Sequence, residues 1–420
     1  MTMGYEVSTQ DRQILRELAK KQLFYANQEC NLKRREEWYR HNELQGERPL
    51  IHLEMGTFEQ EILPERMRCT GEFARQLERT MYSNFLNQEL FDDDRVTPDY
   101  FGVGYSGYFT LFNLPVKVQG VKDMDGNTSV GHHFVSQIED LEEDWDKLGK
   151  TRFGVDPKAD MERKSAIEEL IGDILPVRLE GNGLYSVPTQ MVVHLMSMET
   201  MMFSMYDYPE LFKVMMERIA DDTLAYYRLL EKEGVILPTT GGGFLGQGSW
   251  CYNHTLPDKK APGSYTTRDV WGFMDSQETV GISPEMFEEF IFPCYKKISE
   301  SFGLLSYGCC EPVDPIWEKC ISKLENLRKV SISPWCDEEY MGERLRGSRI
   351  IFHRKPSPNY LGTGTRLDEE AFRAHIRKSL RAAKGCEMEI TQRDVYTINK
   401  DIPKAKRYVD IIKEEIINCW

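Results

Sequence analysis

Apolar positions along the chain repeat at two spacings. Over roughly the first 45 residues, "DRQILRELAKKQLFYANQECNLKRREEWYRHNEL" places them at helical intervals amid many charges. This predicts one or two exposed amphipathic helices, a lid or an interface arm. "RPLIHLEM" then predicts a buried strand and "GEFARQLERTMYSNFLNQEL" a helix, while "RVTPDYFGVGYSGYFTLFNLPVKVQG" is β-rich and broken by turns.

From residue 159 the two spacings alternate regularly. Strand-like runs "PVRLEGN", "VILPTTG", "LLSYGC", "KVSIS", "RIIFHRKPS" and "CEMEIT" are separated by helical ones, among them "PELFKVMMERIADDTLAYYRLLEKEG", "SPEMFEEFIFPCYKKISESFG", "VDPIWEKCISKLENL" and "DEEAFRAHIRKSLRAAKG". Such alternation implies a parallel sheet. No Gly-x-Gly-x-x-Gly opens a first helix, which favours an α/β fold of the closed (β/α)8 TIM barrel type over a doubly wound sheet. The expected organisation is an N-terminal helical extension over 1–47 and the barrel over 48–420. "GGGFLG" at 241–246 lacks the Lys-Ser/Thr of a phosphate-binding loop and predicts a flexible loop at the barrel mouth. The Met-rich "PTQMVVHLMSMETMMFSM" has the spacing of a buried helix rather than of a cofactor box.

Composition narrows the function. Of 420 residues, 40% are hydrophobic and 29% charged, the balance of a chain that buries a large core. A formal charge of -15 argues against nucleic acid and against an anionic membrane surface as partners. No stretch approaches the roughly 18 apolar residues of a spanning helix, and the N-terminal residues lack the apolar core of a secretory signal, so a cytoplasmic protein is expected. The ten cysteines show no disulfide framework and are expected to be free thiols.

Among those thiols only Cys309 and Cys310, in "YGCCEP", stand beside a carboxylate at the end of a predicted strand. A buried strand end with a solvated carboxylate is the plain reading. The chemical one is a thiolate and Glu311 meeting other groups at the barrel mouth. Alternation along a strand turns one of two adjacent thiols inward. The strand "CEMEIT" would deliver Glu389 and, just beyond, Asp394, whereas Cys386 follows the helix-ending Gly385 and opens that strand at the barrel's bottom. A carboxylate inside a barrel is costly unless paired or bound to a metal. Further mouth candidates are His52 and Glu54 at the first strand's end, Asp275 in "DSQE", His132 and His133 in "GHHFVSQIEDL" and His254 in "WCYNHTLP".

Taken in order, "DSQETVGISPEMFEEFIFPCYKKI", "YGCCEPVDPIWEKC", and "SISPWCD" followed by "KPSPNYL" resemble the uroporphyrinogen decarboxylase superfamily, in particular its corrinoid-linked methyltransferase branch, over roughly residues 50–415. The resemblance implies a (β/α)8 barrel with its site at the C-terminal ends of the strands. Where the decarboxylases that resemble this chain carry an Arg-containing motif, "IHLEMGTF" offers His52 and Glu54, the wrong groups for a polycarboxylate. Zinc-dependent relatives use His-x-Cys; here Tyr307 takes the His position and Cys309 keeps the Cys. The resemblance therefore leads to a methyltransferase moving a methyl group between a small methoxy or methylamine compound and the cobalt of a corrinoid. That corrinoid is expected on a partner protein, because no Asp-x-His-x-x-Gly loop is present. Zinc is expected on Cys309, Glu311 and Glu389, with Tyr307, Glu311, Glu389 and Asp394 as catalytic groups. His52, Glu54, His132, His133, His254 and Asp275 are expected to bind substrate, and a homodimer is the assembly considered. The other readings are a decarboxylase of a small acid, for which Arg354 and Lys355 would be the basic groups, and a non-catalytic ligand-binding barrel.

Overall fold

The computed structural model describes residues 4–122, 129–257 and 259–420. Its centre is a seven-stranded parallel sheet made of β1 (Leu50–Leu53), β2 (Leu184–Ser186), β3 (Trp271–Met274), β4 (Leu304–Tyr307), β5 (Leu327–Ile332), β6 (Ile351–Arg354) and β7 (Met388–Gln392). The spatial order is β1-β7-β6-β5-β4-β3-β2. β1 and β3 to β7 are buried at every residue, their polar and charged positions included. Helices follow the strands, as in Glu338–Leu345 after β5, Glu369–Ala382 after β6 and Ile402–Cys419 after β7.

Among the described residues, hydrogen bonds do not close these strands into the expected eight-stranded ring. Phe101–Val103 and Val177–Leu179 pair only with each other, as a separate two-stranded parallel sheet. The predicted strand "VILPTTG" is not one: the Trp271 backbone N–H goes to the side-chain hydroxyl of Thr239 (2.9 Å), so a side chain takes the place of a ladder partner. β2, which joins the sheet instead beside β3, is too short to register as a periodic run.

Residues 244–250 are not a loose mouth loop but a hairpin, Phe244–Gly246 against Ser249–Trp250, lying within the curve of the sheet. Gly248 O accepts from His52 Nδ1 of β1 (2.8 Å) and lies 3.4 Å from Thr391 Oγ1 of β7. Ser249 Oγ accepts from Lys329 Nζ of β5 (2.7 Å), and Trp271 Nε1 of β3 donates to Cys251 O (2.9 Å). The close fit depends on Gly248: its φ is +80°, and a Cβ there would fall 2.3 Å from Thr391 Cγ2. Gly248→Ala should therefore cost about 1–3 kcal/mol in urea unfolding through strain and overlap together.

The first helices, α1 (Thr9–Ala26) and α2 (Glu29–Asn42), are not a detached arm. Ile14, Leu15, Leu18 and Ala19 belong to the main hydrophobic core. α2 caps the amino-terminal side of the sheet, where His41 lies 2.8 Å from Glu387 and 3.1 Å from Glu389, and Asn42 O accepts from Arg328 (2.8 Å). The Met-rich segment is broken at Ser197, whose hydroxyl accepts from Thr200 N and starts a new helix, Met198–Asp207. Met201 and Met205 are buried, but Phe203 and Tyr206 face out. Among the described residues no helix is long and apolar enough to cross a membrane.

Candidate active site

The carboxyl-terminal ends of β3, β4, β6, β7 and β1 meet at one cluster. β4 stops at Tyr307, and Gly308, with φ +98°, turns the chain sharply. Strand alternation no longer applies beyond that turn. Both thiols consequently lie side by side, with Cys309 Sγ 3.4 Å from Cys310 Sγ, rather than one inward and one outward. Cys309 Sγ is also 3.0 Å from Gln247 Oε1 at the hairpin tip and 3.5 Å from Arg393 Nη1. Gln247 Nε2 reaches Asp275 Oδ2 (3.4 Å) and the Tyr185 hydroxyl (3.3 Å). Cys310 Sγ lies 3.3 Å from Asp394 Oδ2, and Arg393 pairs with Glu54 (2.5 Å).

Glu311 binds the two neighbouring strand ends together. One oxygen accepts from Ser276 N and the other from Cys309 N, each at 2.9 Å. The carboxylate is buried and both oxygens are engaged by backbone.

The electrostatics are uneven. Burial, the adjacent Glu311 carboxylate and Cys309 push the Asp275 carboxyl up to about 9, so it is a neutral acid at pH 7, and its Oδ1 has no hydrogen-bond partner. The hydrogen bond from Cys310 draws the Cys309 thiol below its ordinary value against the effect of burial, helped by Lys355 and Arg393. Cys310 moves up, because it donates that bond and sits beside Asp394. Replacing Cys310 by Ala should return Cys309 toward its usual range. Its alkylation by iodoacetamide at pH 7 should then slow, because less of it is thiolate; an unchanged rate would remove Cys310 from this role.

The structure separates the other expected site residues. Glu389 is not at the mouth. It is the second residue of β7, five before Asp394, and a rise of about 3.3 Å per residue sets it on the order of 15 Å deeper. There it pairs with Lys329 Nζ (2.9 Å) and lies 3.1 Å from both His41 Nε2 and His353 Nδ1. Burial alone would raise its carboxyl, but Lys329, His353 and His41 together hold it well below the ordinary range. The alternation of "CEMEIT" correctly sets its face, not its height.

Tyr307 is fully buried with its hydroxyl 2.5 Å from Ser276 Oγ, behind the thiols rather than among them. His52 faces the hairpin one level below the site, opposite Thr391. His254 stacks on Tyr39 of α2 (4.2 Å) and lies 2.8 Å from Glu43, so it stands with the N-terminal helices. His133 is exposed on the hairpin of Val118–Lys122 with Ser129–Phe134; His132 is on the same strand, and its side chain falls outside what is described. Neither the His133 side chain nor His254 has a described contact with the thiols. Glu54, Asp275 and Asp394 do reach the cluster, together with Gln247, Arg393 and Tyr185, which sequence reasoning missed.

The expected zinc set therefore fails on geometry. Glu311 is spent on two backbone amides, and Glu389 is held in an ion pair deep in the sheet's interior. Among the described residues no group of three or more His, Cys, Asp or Glu side chains is arranged to hold a metal ion.

No family model and no curated protein matches the chain. Solved structures show distant likenesses. A methyltransferase from Methanosarcina mazei aligns at 13% identity over 80% of this chain and 85% of its own, with a TM-score of 0.43. A protein described as a vitamin-B12 independent methionine synthase from Listeria monocytogenes aligns at 10% identity over 60% and 68%, with a TM-score of 0.32. A B12-independent methionine synthase from Shewanella sp. W3-18-1 aligns at 13% over 72% and 76%, with a TM-score of 0.28. Likenesses this distant assign neither family nor activity.

Proposed function

We propose that the chain is a methyltransferase of the (β/α)8 type that takes a methyl group from oxygen or nitrogen of a small molecule and passes it to a corrinoid on a partner protein. The observation that supports this reading most is Asp275: a buried carboxyl kept neutral at pH 7, with one oxygen held by Gln247 and the other free to donate. Removing a methyl group from an ether or amine leaves an electron pair on the heteroatom, and a proton delivered there makes it a better leaving group. On this reading Asp275 Oδ1, which has no partner of its own, supplies that proton. Glu311 ties the turn after β3 to the turn after β4 and so fixes Asp275 against Cys309. Protonation by Asp275 does the work that the sequence reading assigned to zinc.

The reduced corrinoid supplies the nucleophile that accepts the methyl group. This chain contributes exposed rings near the strand ends on which a flat macrocycle can rest: Tyr185, Trp335 and Tyr396 are 48%, 66% and 69% exposed, unusual for aromatic side chains.

The test is a spectrophotometric assay for methylcob(III)alamin with purified protein, free cob(I)alamin and a panel of methoxyarenes and methylamines. Turnover of at least one donor is expected. No methylcobalamin with any donor would contradict the reading. A second reading, decarboxylation of a small acid, gains one observation from the structure. Arg354 is turned away onto Glu338, Ser379 and the carbonyls of Ile332 and Ser333, but Lys355 acts on the protonated Asp275 and Arg393 lies 3.5 Å from Cys309. Release of CO2 from a panel acid without methyl transfer would select it.

A further inference from the structure

Lys355 follows the last residue of β6 and is 3% exposed. Its Nζ is buried and has no hydrogen-bond partner. Cys309, Cys310, Glu311 and Arg393 all act on it electrostatically, so its ammonium lies at the cluster and not behind it. An ammonium buried without a partner is costly, and native proteins keep such a group where something else completes it.

No neighbour hydrogen-bonds to it. Glu311 accepts two backbone amides, Glu54 is taken by Arg393, and Asp394 lies against Cys310. Arg393 is already committed to Glu54 and Cys309, and Arg354 to Glu338 and Ser379. Among the described residues at the strand ends, Lys355 is the cation whose hydrogen bonds are all unspent.

We propose that Lys355 is the anchor for a carboxylate of the substrate, so that the molecule demethylated here is a methylated organic acid: a methoxyarene carboxylate or an N-methylated amino acid. This deepens the methyl-transfer reading and rests on it for the word "demethylated"; the anchor itself is a matter of binding. A single ammonium suits a single negative charge. The surrounding Glu54, Glu311 and Asp394 would repel a phosphate dianion, and among the described residues at the strand ends no further unspent cation balances one. With the acid held at Lys355, the donor group of Asp275 is left for the methylated heteroatom, a division of labour between binding and chemistry.

The experiment is calorimetric titration of the full chain with methoxybenzoates and N-methylated amino acids, each paired with its carboxamide, in wild type, Lys355→Met and Lys355→Arg. The expected result is that at least one acid binds and its amide binds about tenfold or more weakly. Lys355→Met should weaken the acid about 10- to 100-fold while leaving the amide unchanged, and Lys355→Arg should restore most of the loss, as a charged hydrogen bond predicts. Thermal melts verify that Lys355→Met folds, and losing an unpaired buried charge should not lower its melting temperature. The proposal is overturned if no acid binds, if acid and amide bind alike, or if Lys355→Met changes only the pH dependence of Cys309 alkylation, which would make Lys355 the counter-ion of the thiolate. Lys355-dependent binding of an acid without any methyl transfer to cob(I)alamin would instead keep the anchor and sink the methyl-transfer reading.

Discussion

Lys329→Met should lower the stability of the protein by about 3–5 kcal/mol in urea unfolding, the usual consequence of stranding one member of a buried ion pair. Lys329 Nζ sits between Glu389 Oε2 (2.9 Å) and Ser249 Oγ (2.7 Å), with the rings of Trp38 and Trp271 at 5.4 and 5.7 Å. It thus joins β5, β7, the hairpin and α2 at one point. Burial pulls its own pKa down, and Glu389 opposes this. In Lys329→Met the Glu389 carboxylate would keep only His41 and His353. His353 is held neutral by burial, well below its ordinary value. Because the folded-state pKa of Glu389 is depressed, the stability it contributes is present above its unfolded value of 4.5 and disappears as pH falls through the lower folded value. The deficit of the variant should therefore be largest near neutral pH and narrow in acid, where wild type loses this contribution too. Adding Glu389→Leu should recover much of the loss, since an apolar pair replaces an ionic one at little net cost. A single variant within 1 kcal/mol of wild type would mean that water reaches this interior.

Asp275→Asn should reduce methyl transfer by about 10²- to 10⁴-fold, the range typical of losing a positioned general acid, with a small effect on substrate affinity. The same substitution should stabilise the protein in mild alkali. The folded pKa of Asp275 is raised from 3.8 to about 9, so its favourable contribution is complete below pH 3.8 and is lost as pH rises through 9. An amide carries no such dependence. Asp275→Asn should then melt above wild type at pH 8 to 9, and the difference should shrink as the pH is lowered. Inactivity combined with greater stability separates a catalytic role from a structural one.

The sequence foretold the sheet where strands are buried on both faces. "LLSYGC", "KVSIS", "RIIFHRKPS", "CEMEIT" and "RPLIHLEM" contain five of the seven strands. "WGFM" was passed over because four residues with one glycine and no β-branched side chain carry little strand signal, and β2 because it is shorter still. The hairpin at 244–250 looked like loop because its glycines serve close approach inside the sheet, which composition alone does not distinguish from flexibility. At the site, Cys309 and Glu311 were legible from their place after a strand, and Asp275 from "DSQE". Glu389 was placed on the correct face at the wrong depth, since a period of two has no information about height. A signal for its true partner was present in Lys329, one of two adjacent charges inside a fully buried strand, which burial obliges to find an opposite charge. Gln247 and Arg393 carry no local mark, and only the folding of the hairpin and the turn after β7 brings them to Cys309.

The central claim is that the Asp275 proton activates the methyl group's leaving atom. It is tested most directly by stopped-flow single-turnover methylation of cob(I)alamin, followed from pH 6 to 10 in wild type and Asp275→Asn. The account predicts a wild-type rate that is level below about pH 9 and falls about tenfold per unit above it, and a residual rate in Asp275→Asn that lacks this fall. A wild-type rate that stays level or rises through pH 10, or an Asp275→Asn variant as fast as wild type, would contradict it.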